Sequence, residues 1–175
     1  MTPLLTLQTP PSTEPITTAE AKTHSRIFIT NDDSYIADLI EAAREKWEKD
    51  SGYFIATASY QATYKNHCHH TFTLPLRPVV SVDSVNALTV DTDYTVAIDV
   101  RTNEAVIKLI TPVSGDVVVN FTVGPGESDP PMLARHAVKC LVGHWYENRE
   151  AFQPGSAFKS VPATYQSIVT SFRLA

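Results

Sequence analysis

The stretch Ile36-Ala-Asp-Leu-Ile-Glu-Ala-Ala-Arg-Glu-Lys-Trp-Glu-Lys-Asp-Ser-Gly-Tyr-Phe-Ile-Ala-Thr-Ala-Ser-Tyr-Gln-Ala-Thr-Tyr64 carries both periods from which this protein is built. In its first half, Ile36, Leu39, Ile40, Ala43 and Trp47 fall at i, i+3, i+4, i+7 and i+11, which is one face of an α-helix. Gly52 supplies the left-handed stop. From about Ile55 the period drops to two. Ala58, Tyr60, Ala62 and Tyr64 alternate with Thr57, Ser59, Gln61 and Thr63, an apolar face against a polar, mainly hydroxyl one. A helix followed directly by a half-buried strand points to the α+β class.

Toward the N-terminus, Thr17 and Glu20 have the spacing of a capping box, and Pro15-Ile16 can staple it. A short helix over 17–27 follows. Thr30-Asn-Asp-Asp33 breaks the chain and starts the second helix, 32–51. Its outer face carries Asp32, Asp33, Asp38, Glu41, Glu45, Glu48 and Asp50 against Arg44, Lys46 and Lys49, a net of −4. Asp32 and Asp33 suit the positive end of the helix dipole. Residues 1–16 hold five Ser or Thr and four Pro and show no period. They read as an extended arm, with a loosely held terminus as the alternative.

Toward the C-terminus, short apolar runs at 71–74, 79–85, 94–100, 105–110 and 117–123 are separated by turn residues. The gaps are too short for crossover helices, so the insertion at 55–123 reads as five or six antiparallel strands. Gly124-Pro-Gly126 closes it as a turn; Pro125 removes an amide that a phosphate cradle would use. Ser128-Asp-Pro-Pro131 opens a third helix, 131–148, with proline where a missing N–H costs little. Leu133, Ala137, Leu141 and Trp145 stack beside Val138, Val142 and Tyr146, so most of its circumference is apolar. Such a helix is central to the core or shared with a neighbour. The tail, 151–175, allows a last short helix at 162–172. The expected architecture is a helical core, two N-terminal helices and one long C-terminal helix, carrying an inserted antiparallel β segment. The core spans 17–150.

Length and composition set the class. With 175 residues, 43% hydrophobic and 19% charged, the chain can bury the core of one domain. The net charge of −5 argues against duplex binding by phosphate neutralisation. No apolar run approaches the roughly 20 residues that span a bilayer. The start lacks a basic n-region and an apolar h-region, so the expectation is no secretion signal. Cys68 and Cys140 are too few for a disulfide scaffold and fit a reducing compartment.

Catalytic and metal chemistry find little support. His136, Cys140 and His144 share one helix face, and two such ligands four apart are what a helical metal site uses. The row spans about 12 Å, however, too long for one ion to reach both ends. His67-Cys-His-His70 is soft-ligand rich, but strand alternation would split it between two faces, and a solvated loop is the plainer reading. Gly-x-Ser-x-Gly, Walker, His-Glu-x-x-His and Cys-x-x-Cys patterns are absent from the sequence. The expectation is no enzyme, no cofactor, no catalytic residue and no metal site.

Three ordered stretches carry a resemblance. They are Glu14-Pro-Ile-Thr-Thr-Ala-Glu-Ala-Lys22 leading into Asn31-Asp-Asp-Ser-Tyr-Ile-Ala-Asp-Leu-Ile-Glu-Ala-Ala-Arg44; Leu74-Pro-Leu-Arg-Pro-Val-Val-Ser-Val-Asp-Ser-Val85; and His144-Trp-Tyr-Glu-Asn-Arg-Glu-Ala151. Together they resemble the head–tail connector (adaptor) proteins of long-tailed bacteriophages, prophages and gene transfer agents. The resemblance covers about 14–151. Thr18 and Ser25 depart from it, standing where apolar residues are expected, and the 67–70 stretch is not part of it.

The resemblance implies a structural subunit of the virion neck. Many copies, twelve by the family resemblance, form a ring between the portal and the stopper or tail-completion proteins. DNA passes through without sequence-specific binding; no membrane and no cofactor is implied. Assembly in the bacterial host cytoplasm follows. Physical chemistry is compatible with this. A closed ring needs a heterologous interface, and a net acidic bore would let DNA slide.

The interface candidates are Trp145, Tyr146, Glu147, Asn148 and Arg149, which combine aromatic anchors with directional polar groups. Phe158, Tyr165, Ile168, Val169 and Phe172 read as an amphipathic segment for a partner such as the portal, or as an intramolecular clasp. Two other readings stand beside the connector. One is a small metal-binding or hydrolytic domain using His136, Cys140 and His144 with the His67–His70 loop. The other is a generic β-containing module binding a peptide or glycan.

Overall fold

A computed structural model of the chain describes residues 3–67, 69–99, 102–110, 113, 115–126, 128–149 and 161–173. In chain order the elements are β1 (Leu4–Thr9), α1 (Thr18–Ser25), α2 (Asp33–Ser51), β2 (Ala58–His67), β3 (Thr71–Thr73), β4 (Val79–Val85), β5 (Tyr94–Ile98), β6 (Ala105–Leu109), β7 (Gly115–Val123), α3 (Met132–Glu147) and α4 (Ala163–Arg173). The fold is mixed, α-helices with antiparallel strands, as the change of period implies. Six strands lie in the expected insertion and α4 lies where a last short helix was expected. The layout differs in two ways: the N-terminal arm adds a seventh strand among the described residues, and the strands form two sheets.

The contacts divide the chain into two units, 1–13 with 56–129 and 14–55 with 130–175. In the first, one sheet has the order β1-β2-β7-β4 and the other β3-β6-β5, all pairings antiparallel. The alternation legible in β2 decides which face is buried. Ala58, Ala62 and Tyr64 turn inward beside Val117, Val119, Phe121 and Val123 of β7. Each of the valines and Phe121 contributes about 1.5–3 kcal/mol on burial. Tyr64 touches the second sheet: its ring lies 4.6 Å from that of Phe72, and its hydroxyl donates to the Thr73 carbonyl at 2.8 Å. Burial pushes the Tyr64 phenol up to about 12.

The opposite face of the four-stranded sheet is polar and cross-linked. Ser59 bonds Thr122, Gln61 donates to Asn120, and Asn120 donates to Ser84. At the end of β7, Gly124 has φ +111°, and a Cβ there would lie 2.5 Å from the Ala56 carbonyl oxygen. Only glycine fits both demands.

β1 was expected to be an arm without strand periodicity. It is an edge strand paired with β2 from Leu4↔Thr63 to Thr9↔Ser59, and all six of its residues are exposed. A strand held on one side and buried on neither face needs no alternation, so none was there to read.

In the second unit, the capping box forms. The Glu20 amide donates to Thr17 Oγ1 at 3.2 Å and the Thr17 amide to Glu20 Oε2 at 2.9 Å. α1 ends with Arg26 in the left-handed region and α2 with Gly52 likewise. Ile36, Ile40, Ala43 and Trp47 bury the stripe of α2 against Ala137, Val138, Leu141 and Val142 of α3, with Tyr165 and Val169 of α4 closing the cluster. Arg44 is the buried cation among the described residues of this unit: it meets Glu14 at 2.9 Å, Glu48 at 3.3 Å and Glu41 at 3.7 Å. Burial alone would lower its basicity, but Glu14 and Glu48 raise it.

Candidate assembly interface

The end of α3 presents the aromatic and polar run singled out above. Trp145 and Tyr146 pack, half-buried, on the helical core. The Tyr146 hydroxyl donates to Asp32 Oδ2 at 2.7 Å, and Arg149 Nη2 donates to the same oxygen at 2.9 Å. The Arg149 guanidinium lies 4.6 Å from the Tyr35 ring centroid and 5.3 Å from that of Tyr146. This is a charge-assisted cluster with a cation over two aromatic faces. The Tyr146 hydroxyl, then Arg149, hold the Asp32 carboxyl below its usual range, and the same bond raises the Tyr146 phenol. Asn148 ends the helix, its side-chain amide donating to the His144 carbonyl at 2.8 Å. Glu147 is exposed.

Asp32 thus does not cap its own helix; it makes no side-chain cap bond. Its partner Asp33 accepts from Lys22 at 2.6 Å. The two acids were legible as a helix start, while their partners on α1, in the last turn of α3 and just beyond it were not.

Tyr165 and Phe172 are engaged within the chain. Tyr165 is 1% exposed, stands edge-on to Trp47 at 6.3 Å, and donates its hydroxyl to Asp50 at 3.0 Å. Phe172 stands edge-on to Trp47 and to Tyr53, each at 5.1 Å. Arg173 donates to the Asp50 carbonyl. α4 therefore clasps the helical core through Trp47. Phe158 lies outside the described residues.

His136 Nε2 lies 3.5 Å from Cys140 Sγ, and the His24 ring stands edge-on to His136 at 5.7 Å. His144 lines a groove with Cys140, His24, Ser25 and Gly143. Burial pushes the Cys140 thiol up. Burial, then His136 and Lys139, push His24 down. Among the described residues, no group of three His, Cys, Asp or Glu is placed to hold a metal ion. Cys68 and the side chain of His67 lie outside the described residues.

Some surface features gave no sequence signal. Phe28, in the connection between α1 and α2, is 91% exposed, and Ile29 beside it is also exposed. Phe28 forms a wall of a groove of about 760 Å³ shared with Thr18, Lys22, Arg26 and Ile27. Leu133, placed by periodicity on the apolar stripe of α3, is exposed next to Met132, whereas Ala134 is buried. On α2, Asp38, Glu41 and Glu45 form an exposed acidic row. No helix among the described residues is long and apolar enough to cross a membrane.

Comparison with known proteins gives the frame for these features. The family model of the head completion protein matches residues 14–173. Three solved structures share the fold. The chain is 20% identical to one in the neck of an empty GTA particle computed with C6 symmetry, with a TM-score of 0.76, covering 97% of this chain and 95% of that one. It is 20% identical to one in the virion of a native gene transfer agent (GTA) particle, TM-score 0.77, with the same coverage. It is 19% identical to one in the neck of a native GTA particle computed with C12 symmetry, TM-score 0.71, covering 99% and 95%. A comparison with curated protein sequences finds no relative. The order of motifs, the α+β architecture and a family match running from the first ordered helix to the last converge: this chain belongs to the head completion protein family.

Proposed function

We propose that the chain is a structural subunit of a virion neck, many copies of which close into a ring joining the portal above to stopper or tail-completion proteins below, with DNA passing through the bore. The observation that carries this reading is the family match over 14–173, in a fold shared with proteins from the necks of gene transfer agent particles. The symmetric description of those necks, C6 and C12, supports a closed ring, and we take twelve copies as the number. Family membership supports a structural role without a chemical step.

A ring of identical copies joins two different patches of each subunit. Phe28 and Ile29 form one such patch, an apolar knob that costs free energy in water and is placed to enter a neighbouring copy. Glu147 and Arg149, at the outer edge of the Asp32 cluster, offer directional pairing at another. The exposed row Asp38, Glu41 and Glu45 is assigned to the bore, where negative charge prevents phosphates from sticking. The core over 17–150 acts as the ring body and the residues after it as the portal-facing tail.

Electron microscopy of purified particles tests the reading. Density for this chain as a ring at the head–tail junction is expected, together with tailless heads when the chain is deleted. A neck complete without it would overturn the proposal.

A further inference from the structure

We propose that β1 is exchanged in the ring: Leu4–Thr9 of each copy leaves its own β2 and pairs with β2 of the next copy. This rests on the ring reading above and names the contact that would link its subunits.

Four observations point to exchange. All six residues of β1 are exposed, so little beyond a single antiparallel ladder to β2 holds the strand. Residues 1–13 contain no charged side chain, so no ion pair ties the strand to its own copy. The chain leaves the sheet unit at Thr13 and enters the helical unit at Glu14, where Pro15 and Ile16 are buried and Glu14 is bonded to Arg44 at 2.9 Å. Finally, the connection is only Pro10-Pro11-Ser12-Thr13. The two prolines fix their φ angles and supply no N–H, which keeps the segment stiff and extended.

A strand anchored firmly at one end and weakly along its length can reach for an identical groove at small cost, because every bond broken is re-formed on the neighbour. A short connection invites that outcome, because it leaves little slack for the strand to fold back on its own copy. The exchange is also directional. The arm of one copy enters the groove of the next, so the contact is heterologous and propagates around a closed ring. The opposite edge of the same sheet is less suited to accept a strand: β4 shifts register twice against β7 and carries Asp83, the features that blunt an edge.

The test uses Thr6 and Gln61, directly opposed in register and neither of them buried. Two full-length chains, Thr6→Cys and Gln61→Cys, each with Cys68→Ser and Cys140→Ser, are co-expressed, and the assembled particles are oxidised mildly. A covalent species of twice the chain mass on a non-reducing gel is expected, and it disappears for the same two chains mixed as unassembled subunits. The double variant Thr6→Cys/Gln61→Cys serves as control: unassembled, it closes an internal disulfide, and in particles it yields higher multimers. Particles with an intact ring in which only the internal disulfide forms would overturn the exchange while leaving the ring reading in place. Particles whose neck lacks this chain would remove the ring reading, and the exchange with it.

Discussion

Asp32 and Tyr146 stand 114 positions apart in the sequence and 2.7 Å apart at the hydroxyl–carboxylate bond that ties the start of α2 to the end of α3. Arg149 completes the pair at 2.9 Å, and its guanidinium covers both Tyr35 and Tyr146.

The first prediction concerns acid. Asp32, Glu20 and Asp50 all have carboxyls held below their ordinary values, Asp32 and Glu20 chiefly by the hydrogen bonds they accept and Asp50 by Lys46 and Tyr165 against the opposing effect of burial. A carboxyl that is more acidic when folded adds stability above its unfolded pKa, about 4, and loses it as pH falls through the folded value. Asp32→Asn should therefore be less stable than the parent at pH 7, with the gap closing below about pH 4. Thermal denaturation of both chains between pH 3 and 7 checks this; a gap independent of pH would contradict the Tyr146–Asp32 account.

The second concerns Arg44. Its side chain is 7% exposed and answers Glu14, Glu48 and Glu41. Arg44→Ala strands two partly buried carboxylates and removes packing, at a cost of about 3 kcal/mol. Arg44→Met retains the packing and should cost less. Urea unfolding at neutral pH gives the ranking; equal costs would show that the packing of the side-chain stem contributes nothing, and a methionine variant as stable as the parent would show the same of the charges.

The third separates clasp from partner segment in α4. Tyr165→Phe loses one bond to a charged group, about 1.5–3 kcal/mol. Tyr165→Ala opens a cavity beside Trp47 and should cost about 3–5 kcal/mol. Because Trp47 is fully buried, the alanine variant should also shift tryptophan fluorescence to the red. An unshifted spectrum with parental stability would mean that α4 docks elsewhere.

The fourth tests the sheet end. At Gly124, alanine meets both a left-handed φ and the Ala56 backbone, so Gly124→Ala should destabilise by about 3 kcal/mol. At Gly52, where φ is +68° and nothing lies within 4 Å, alanine should cost only about 1 kcal/mol. Circular dichroism melting curves of the two variants give the comparison.

The fifth separates assembly from folding. Phe28→Asp changes a side chain that is 91% exposed, so the melting temperature should stay within a degree or two of the parent. Neck incorporation should fall at least tenfold by immunoblot of purified particles, as expected for an apolar anchor at an interface. Asp38→Lys/Glu45→Lys should leave incorporation intact and reduce DNA delivery. Full delivery by the double variant would remove these acids from the bore.

Local chemistry was legible in the primary structure wherever one segment meets its need alone. The capping box at Thr17 and Glu20, the buried stripe Ile36–Ile40–Ala43–Trp47, the inward set Ala58–Ala62–Tyr64 and the ordered motifs of the family all depend on spacing within a few residues. Such patterns survive because helix and strand periods bury or expose a side chain whatever the partner element turns out to be. Only the tertiary structure decided what those faces meet. β1 has no period because an exposed edge strand requires none, Asp32 gave up its own cap for two groups over a hundred positions away, and Tyr165 with Phe172 went to Trp47. Long-range pairing is settled by complementary surfaces and hydrogen-bond geometry brought together by folding, and neither is encoded in the spacing of neighbours along a chain.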